Sequence, residues 1–220
     1  MPGIGLWYAA LPMRLCLIGP ARRDLAALRK RAEFVLDQLA PDRVVYLGVD
    51  GALDDVVGRW AVELVKGDPS DDAVWHRASV ACAGGTHEQI DAFLDTERRR
   101  QRLKLLECLP GPTARTIEMF DTIVAVLIHD KALLDEEDML PASLLVFGRS
   151  AEPVIHRVGV RCFLSPGPAP HPRGGVALLT EEGDKVRATI YGSDGAAVMS
   201  EIVGQPMGSA RMTVQGGKGS

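Results

Sequence analysis

Two short apolar runs, each stopped by glycine and separated by an amphipathic stretch, constrain this chain most. Residues 15–18 end at Gly19-Pro20, and residues 44–47 end at Gly48. Runs this short and this apolar read as strands buried on both faces. Between them Leu25, Leu28, Ala32, Val35, Leu36 and Leu39 recur at helical spacing until Pro41 stops the pattern. Residues 56–65 then read as a helix or a helix-to-strand passage, closed by Gly67-Asp68-Pro69. This strand–helix–strand–helix order predicts an α/β fold with an at least partly parallel sheet.

The middle of the chain holds its longest expected helix. Thr86 and Gln89 form a capping box at its start. Ile90, Phe93, Leu94, Leu105, Leu106 and Leu109 supply its apolar positions, and Pro110-Gly111-Pro112 ends it. Residues 116–120 and 123–128 flank Asp121-Thr122 as a hairpin. Strands follow near residues 143–147, 154–158, 161–164, 176–180 and 186–191, with Gly159 and Glu182-Gly183-Asp184 at turn positions. Residues 204–220 are glycine-rich without hydrophobic periodicity and read as a flexible tail.

Composition removes several function classes. A net charge of −4 offers no global basic field for nucleic acid or an anionic membrane. No apolar run reaches the ~20 residues of a membrane span. Residues 3–12 are apolar, but no basic segment precedes them and Arg14 interrupts them, so a secretion signal is not expected. Cys16, Cys82, Cys108 and Cys162 are scattered without metal spacing and read as free thiols in a reducing cytoplasm. High usage of Ala, Arg, Gly and Pro suggests a bacterial source.

One stretch carries a family signature. Leu144-Leu145-Val146-Phe147-Gly148-Arg149-Ser150-Ala151-Glu152-Pro153, followed by Arg161-Cys162-Phe163-Leu164-Ser165-Pro166-Gly167, reads as strand, tight turn, strand and Pro-Gly turn. It resembles the closing segment of the calcineurin-like metallophosphoesterases. There the first turn carries Gly-His-x-His and the second Asn-Pro-Gly-Ser. The resemblance extends from about Met13 to Tyr191 as five degenerate blocks in order. It implies a four-layer α/β/β/α sandwich of two mixed sheets flanked by helices, with a dinuclear metal site on loops at one edge. The divisions it suggests are an extension at residues 1–12, a domain over 13–203 and a tail at 204–220.

The same resemblance implies that the metal chemistry is gone. Where the family has Asp-x-His after its first strand, this chain has Pro20 and Arg22. Gly-Asp after the second strand becomes Gly48-Val49, with Asp50 one residue late. Gly-Asn-His is matched to Gly67-Asp68-Pro69, so Asp68 is a conservative exchange and Pro69 cannot serve as an acid. His129 alone is retained in the fourth block, and the paired histidines of the fifth are Arg149 and Ala151. Proline offers no ligand and arginine stays protonated. No cofactor and no metal are therefore expected.

For Arg22 and Arg149 two readings are open: an internal ion pair with Asp68 or Asp50, or a bidentate anion site replacing the metals' charge. His129 reads as a strand-end histidine satisfied by hydrogen bonds, or as a relic ligand. The basic cluster at residues 97–104 reads as a solvated helix face, because consecutive arginines point around a helix. Asp135-Glu136-Glu137-Asp138 reads as a helix start, or as an acidic knob facing a partner. The expected function is an inactive metallophosphoesterase-like scaffold that binds another protein, with homo-oligomerisation open. The metallophosphoesterase-like subunit of the retromer coat is a precedent at the level of fold. The alternatives are a phosphate or nucleotide sensor using Arg22 and Arg149, and a residual phosphoesterase.

Overall fold

A computed structural model describes residues 12–121 and 123–204. The extension and tail expected at the two ends lie outside the described residues, except for Pro12 and Gly204. Period-two alternation sorts the first two strands between two cores. In β1 (Arg14–Ile18), Leu15 and Leu17 face one cluster while Cys16 and Ile18 face another. In β2 (Arg43–Tyr46), Val45 joins the first cluster and Val44 and Tyr46 the second. A strand buried on both faces must lie between two layers, and here one layer is helical and the other is a second sheet.

Six strands form the first sheet. At its centre β1 pairs parallel with β2, and β2 with β3 (Leu106–Cys108). On the other side β9 (Val176–Glu182), β10 (Lys185–Tyr191) and β11 (Ala197–Gly204) add an antiparallel meander. The order is β11-β10-β9-β1-β2-β3. The second sheet runs β4 (Thr116–Phe120), β5 (Ile123–Ile128), β6 (Leu144–Phe147), β8 (Arg161–Ser165) and β7 (Val154–Val158). Its β5, β6 and β8 are mutually parallel and its two edge strands antiparallel.

The inner faces of the two sheets meet in one core, where Leu17, Val45, Phe120, Leu127, Val146 and Leu164 are all buried. Helices α1 (Leu25–Phe34) and α2 (Ala52–Val65) cover the first sheet through Leu28, Ala32, Leu53 and Val56. A π-helical turn extends α1 to Leu39, and Ala40 leaves it in a left-handed conformation before Pro41. Beyond them stand α3 (Val74–Gly84), which buries no residue, and α4 (His87–Arg102) with its expected Thr86–Gln89 capping box. The fourth layer is thin: a turn at Lys131–Leu133 and the single-turn α5 (Glu136–Met139) cover Val126 and Leu145. Two mixed sheets flanked by helices are thus in place.

Three elements differ from the sequence reading. The long helix stops at Arg102 rather than at Pro110, because Leu106–Cys108 pairs with β2. Its leucines supply a strand whose register is set by the sheet rather than by helical period. Helix α3 falls in a stretch, between Pro69 and Thr86, for which the sequence reading offers no element. Strand β11 is the third, and it includes Gly204, which pairs with Val186.

Candidate functional site

Parallel pairing within each sheet sends the C-terminal ends of β1, β2 and β3 to one edge, and those of β5, β6 and β8 likewise. The two edges coincide, because the loops leaving them touch. The His129 Nδ1–H donates to the Leu47 carbonyl at 2.8 Å, joining the end of β5 to the end of β2. A carbonyl only accepts, so the proton is on Nδ1. Gly148 follows β6 and lies so close to Leu47 that a Cβ would run into the Leu47 carbonyl oxygen. Gly19 follows β1 and meets the Gly167 carbonyl of the loop after β8, which occupies the place a Cβ would need. Only glycine permits both approaches.

The loops after β1, β2, β5, β6 and β8 of this two-sheet sandwich therefore meet at one edge. Two mixed sheets flanked by helices are the architecture that the resemblance to the calcineurin-like metallophosphoesterases implies.

Among solved structures the chain is similar to a conserved uncharacterised protein of Streptococcus pneumoniae, a predicted phosphoesterase, at 11% identity. That match covers 88% of this chain and 98% of the other, with a TM-score of 0.49. It is also similar to Vps29 of Chaetomium thermophilum (12% identity, 88% and 95% covered, TM-score 0.48). Vacuolar protein sorting 29 of Cryptosporidium parvum gives 15% identity, 88% and 97% covered, and a TM-score of 0.47. No protein-family model matches the chain, and no curated protein matches it in sequence. The strand order and the shared loop edge carry the fold assignment; likenesses this remote add nothing to it.

The resemblance implies a metal site on these loops, so their side chains decide what this edge can do. Pro20 contributes only its carbonyl, which accepts from the Ala169 N–H at 2.9 Å. Arg22 and Arg23 both have left-handed backbones, φ 49° and 70°. Each such residue costs about 1–2 kcal/mol outside glycine, and the turn they make carries the Arg22 Nη2 to the Ser150 carbonyl at 2.7 Å. Val49 packs against the inter-sheet core. Asp50 faces the other way, accepting from the Tyr46 hydroxyl at 2.9 Å and the Ala52 N–H at 3.3 Å. Arg149 pairs with Asp130 at 2.5 Å, and Ala151 is exposed.

Two placements depart from the sequence reading. Arg149 pairs with Asp130, not with Asp68 or Asp50; the turn after β6 folds back on the loop after β5, where the Arg149 N–H also bonds the His129 carbonyl at 2.7 Å. Asp68 and Pro69 are not at this edge. They follow α2, whose 14 residues carry the chain roughly 21 Å away from the end of β2. Asp68 caps the Ser70 N–H at 2.8 Å, and the Pro69 carbonyl accepts from Arg100 at 2.9 Å. The third position along the edge belongs to the loop after β3, Leu109-Pro110-Gly111-Pro112, which the helical reading concealed and which bears no ligand side chain.

Electrostatics bind this edge to itself. The Ala132 N–H, then Arg149, hold the Asp130 carboxyl below the usual carboxylate range. Burial raises the Tyr46 hydroxyl; it accepts from the Ala21 N–H at 2.9 Å while donating to Asp50, so one tyrosine ties the first two loops together. Cys108, at the end of β3, is pushed up to about 12 by burial and by Asp54, which leaves it a poor nucleophile. Among the described residues no three His, Cys, Asp or Glu side chains gather as metal ligands. His129 and two carboxylates already engaged by a tyrosine and an arginine do not fit a dinuclear centre, which needs several converging donors.

Sequence reasoning missed Tyr46 and Arg31. Arg31 is 4% exposed, yet no carboxylate pairs with it among the described residues. It donates to four carbonyls instead: Ala169 at 2.9 Å, Gly192 at 2.6 Å, His171 at 2.8 Å and Gly174 at 2.6 Å. This ties the long loop after β8, through Ala169, His171 and Gly174, to the turn between β10 and β11, through Gly192. The only available signal was an arginine on the apolar side of a helix, between Leu28 and Val35.

Proposed function

We propose that this chain is a metallophosphoesterase-like protein without hydrolytic activity, working as a protein-interaction module in a reducing cytoplasm. One observation carries the reading: the loops that would hold metals hold one another. His129 is on Leu47, Arg22 on Ser150, Arg149 on Asp130 and Tyr46 on both Ala21 and Asp50. A phosphoester substrate would find neither a hydroxide-generating metal nor a free acid there. The four cysteines, all free and two of them buried, support the reducing compartment. No described helix is long and apolar enough to cross a membrane.

An anion-sensing role has less support. Arg149 faces a carboxylate and Arg22 a carbonyl. The retromer-coat subunit named above, a scaffold on the same fold, suggests the use to which such a chain is put, by analogy of fold alone. The test is hydrolysis of generic phosphomonoesters and phosphodiesters with manganese or zinc added. The expected rate equals the buffer blank for both the parent and His129→Ala. A metal-stimulated rate that His129→Ala abolishes would establish the residual phosphoesterase instead.

A further inference from the structure

The basic cluster of α4 is not the all-round solvated face that its sequence suggests. Arg100 turns inward, 5% exposed, between Glu97 and Asp71. The remaining charges fall on one stripe, because Glu88, Asp91, Asp95, Arg98, Arg99 and Arg102 succeed one another along one side of the helix. The first five are exposed and Arg102 is half-exposed. All acidic members precede all basic ones. Ala92, on the same face, leaves room for close approach.

From this we infer that α4 is the contact between two copies of this chain, packed antiparallel about a two-fold axis at Asp95. A stripe that is negative along its first half and positive along its second is complementary to itself when reversed, which is what an isologous dimer requires. With Asp95 at the axis, Glu88 and Arg102 are equally distant from it, as are Asp91 and Arg99. Glu88 then faces Arg102 of the second copy, and Asp91 faces Arg99 of the second copy, each pair occurring twice. The two Asp95 carboxylates at the centre are each met within their own chain by Arg98 at 2.9 Å. Within the chain His87 approaches Asp91 at 3.5 Å and Arg102 approaches Asp37 at 3.7 Å, both at the surface. Arg99 makes no ion pair among the described residues. The helix's own dipole favours acids in its first turn and bases in its last, but Asp91, Asp95 and Arg98 lie beyond that reach. The inference is independent of the reading of the loop edge.

The test is sedimentation of the whole chain in low and high salt, with two single variants. Arg99→Glu and Asp91→Lys disturb no buried contact, and their fold is checked by circular dichroism. The parent should dimerise at ~50 mM salt and lose about tenfold or more in affinity by ~500 mM, as screening shortens the reach of each charge. Each variant alone should be monomeric, since it sets like charges face to face. An equimolar mixture of the two should recover the dimer, because the carboxylate introduced in one chain then meets the ammonium introduced in the other. A parent that stays monomeric in low salt, or a dimer indifferent to both substitutions, overturns the inference.

Discussion

Replacing Arg31 with methionine tests how the loop after β8 is held. Methionine matches much of the arginine stem but donates nothing, so the Ala169 and Gly174 carbonyls lose their partner, while those of Gly192 and His171 keep the Gly195 and Gly174 N–H groups. Three of the four bonds from Arg31 are buried and the one to His171 is partly so. A buried acceptor left unsatisfied costs about 1–3 kcal/mol, which sums to roughly 2–6 kcal/mol for the two left without a donor. Against this stands the relief of no longer burying a guanidinium, a cost of several kcal/mol. Burial already lowers the Arg31 pKa, and the nearby Asp194 only partly opposes that. The net expectation is a loss of about 2–4 kcal/mol, the acceptor cost less part of that relief. With a slope of about 2 kcal/mol/M in urea, the unfolding midpoint should fall by roughly 1–2 M. Arg31→Lys should recover little, since one ammonium cannot span four acceptors spread around a planar fork. Arg29→Met, which breaks ion pairs with Glu33 and Glu63 and the stacking of the guanidinium over Trp60, is the control and should cost about 1 kcal/mol. If Arg31→Met is as stable as that control, the four-carbonyl clamp does not hold the loop.

Other substitutions separate the remaining contacts. Arg149→Ala should lower stability by less than about 1 kcal/mol in urea, because the arginine is 73% exposed and its pair with Asp130 is therefore screened. Gly19→Ala should cost about 1–3 kcal/mol or more, since its Cβ would enter the Gly167 carbonyl, whereas Gly58→Ala, exposed in α2 with nothing within 4 Å, should gain about 0.5–1 kcal/mol; calorimetric midpoints should move in opposite directions. Asp71 is held at about 2, first by Lys104 and then by Arg100. A depressed carboxylate contributes stability above its unfolded pKa of about 3.9 and loses it as pH falls through the folded value. The stability gap between the parent and Asp71→Asn should accordingly be full at pH ~6 and close as pH falls from about 4 towards 2, followed by urea melts across that range.

Much of this fold is legible because its strands are short, buried on both faces and punctuated by glycine. Leu15–Ile18 before Gly19 and Leu144–Phe147 before Gly148 each mark a strand and the loop that leaves it. The pattern misleads where tertiary pairing overrides it. Leu105, Leu106 and Leu109 continue a helical spacing, yet β2 offers an unpaired edge and Leu106–Cys108 takes it. That single substitution of strand for helix displaces the third loop, so that Leu109–Pro112 occupies the edge to which the motif blocks assign Asp68 and Pro69. The sequence leaves Arg149 open between an internal ion pair and an anion site, and names Asp68 or Asp50 as the pair's carboxylate where the structure has Asp130. Asp130 stands beside His129 in the sequence, but it meets Arg149 only through the parallel register of β5 and β6. Arg31 and Tyr46 carry no motif, because their roles depend on backbone carbonyls and amides brought in from distant loops.

The central claim is that the loop edge satisfies itself and has no donors left for metals. Elemental analysis of the purified chain, loaded with manganese or zinc and then dialysed, tests it most directly. The expected content is well below one ion per chain, with no rise in thermal midpoint on adding either ion, since only a native-state ligand stabilises by mass action. Two ions per chain, lost on substituting His129 or Asp50, would contradict the account.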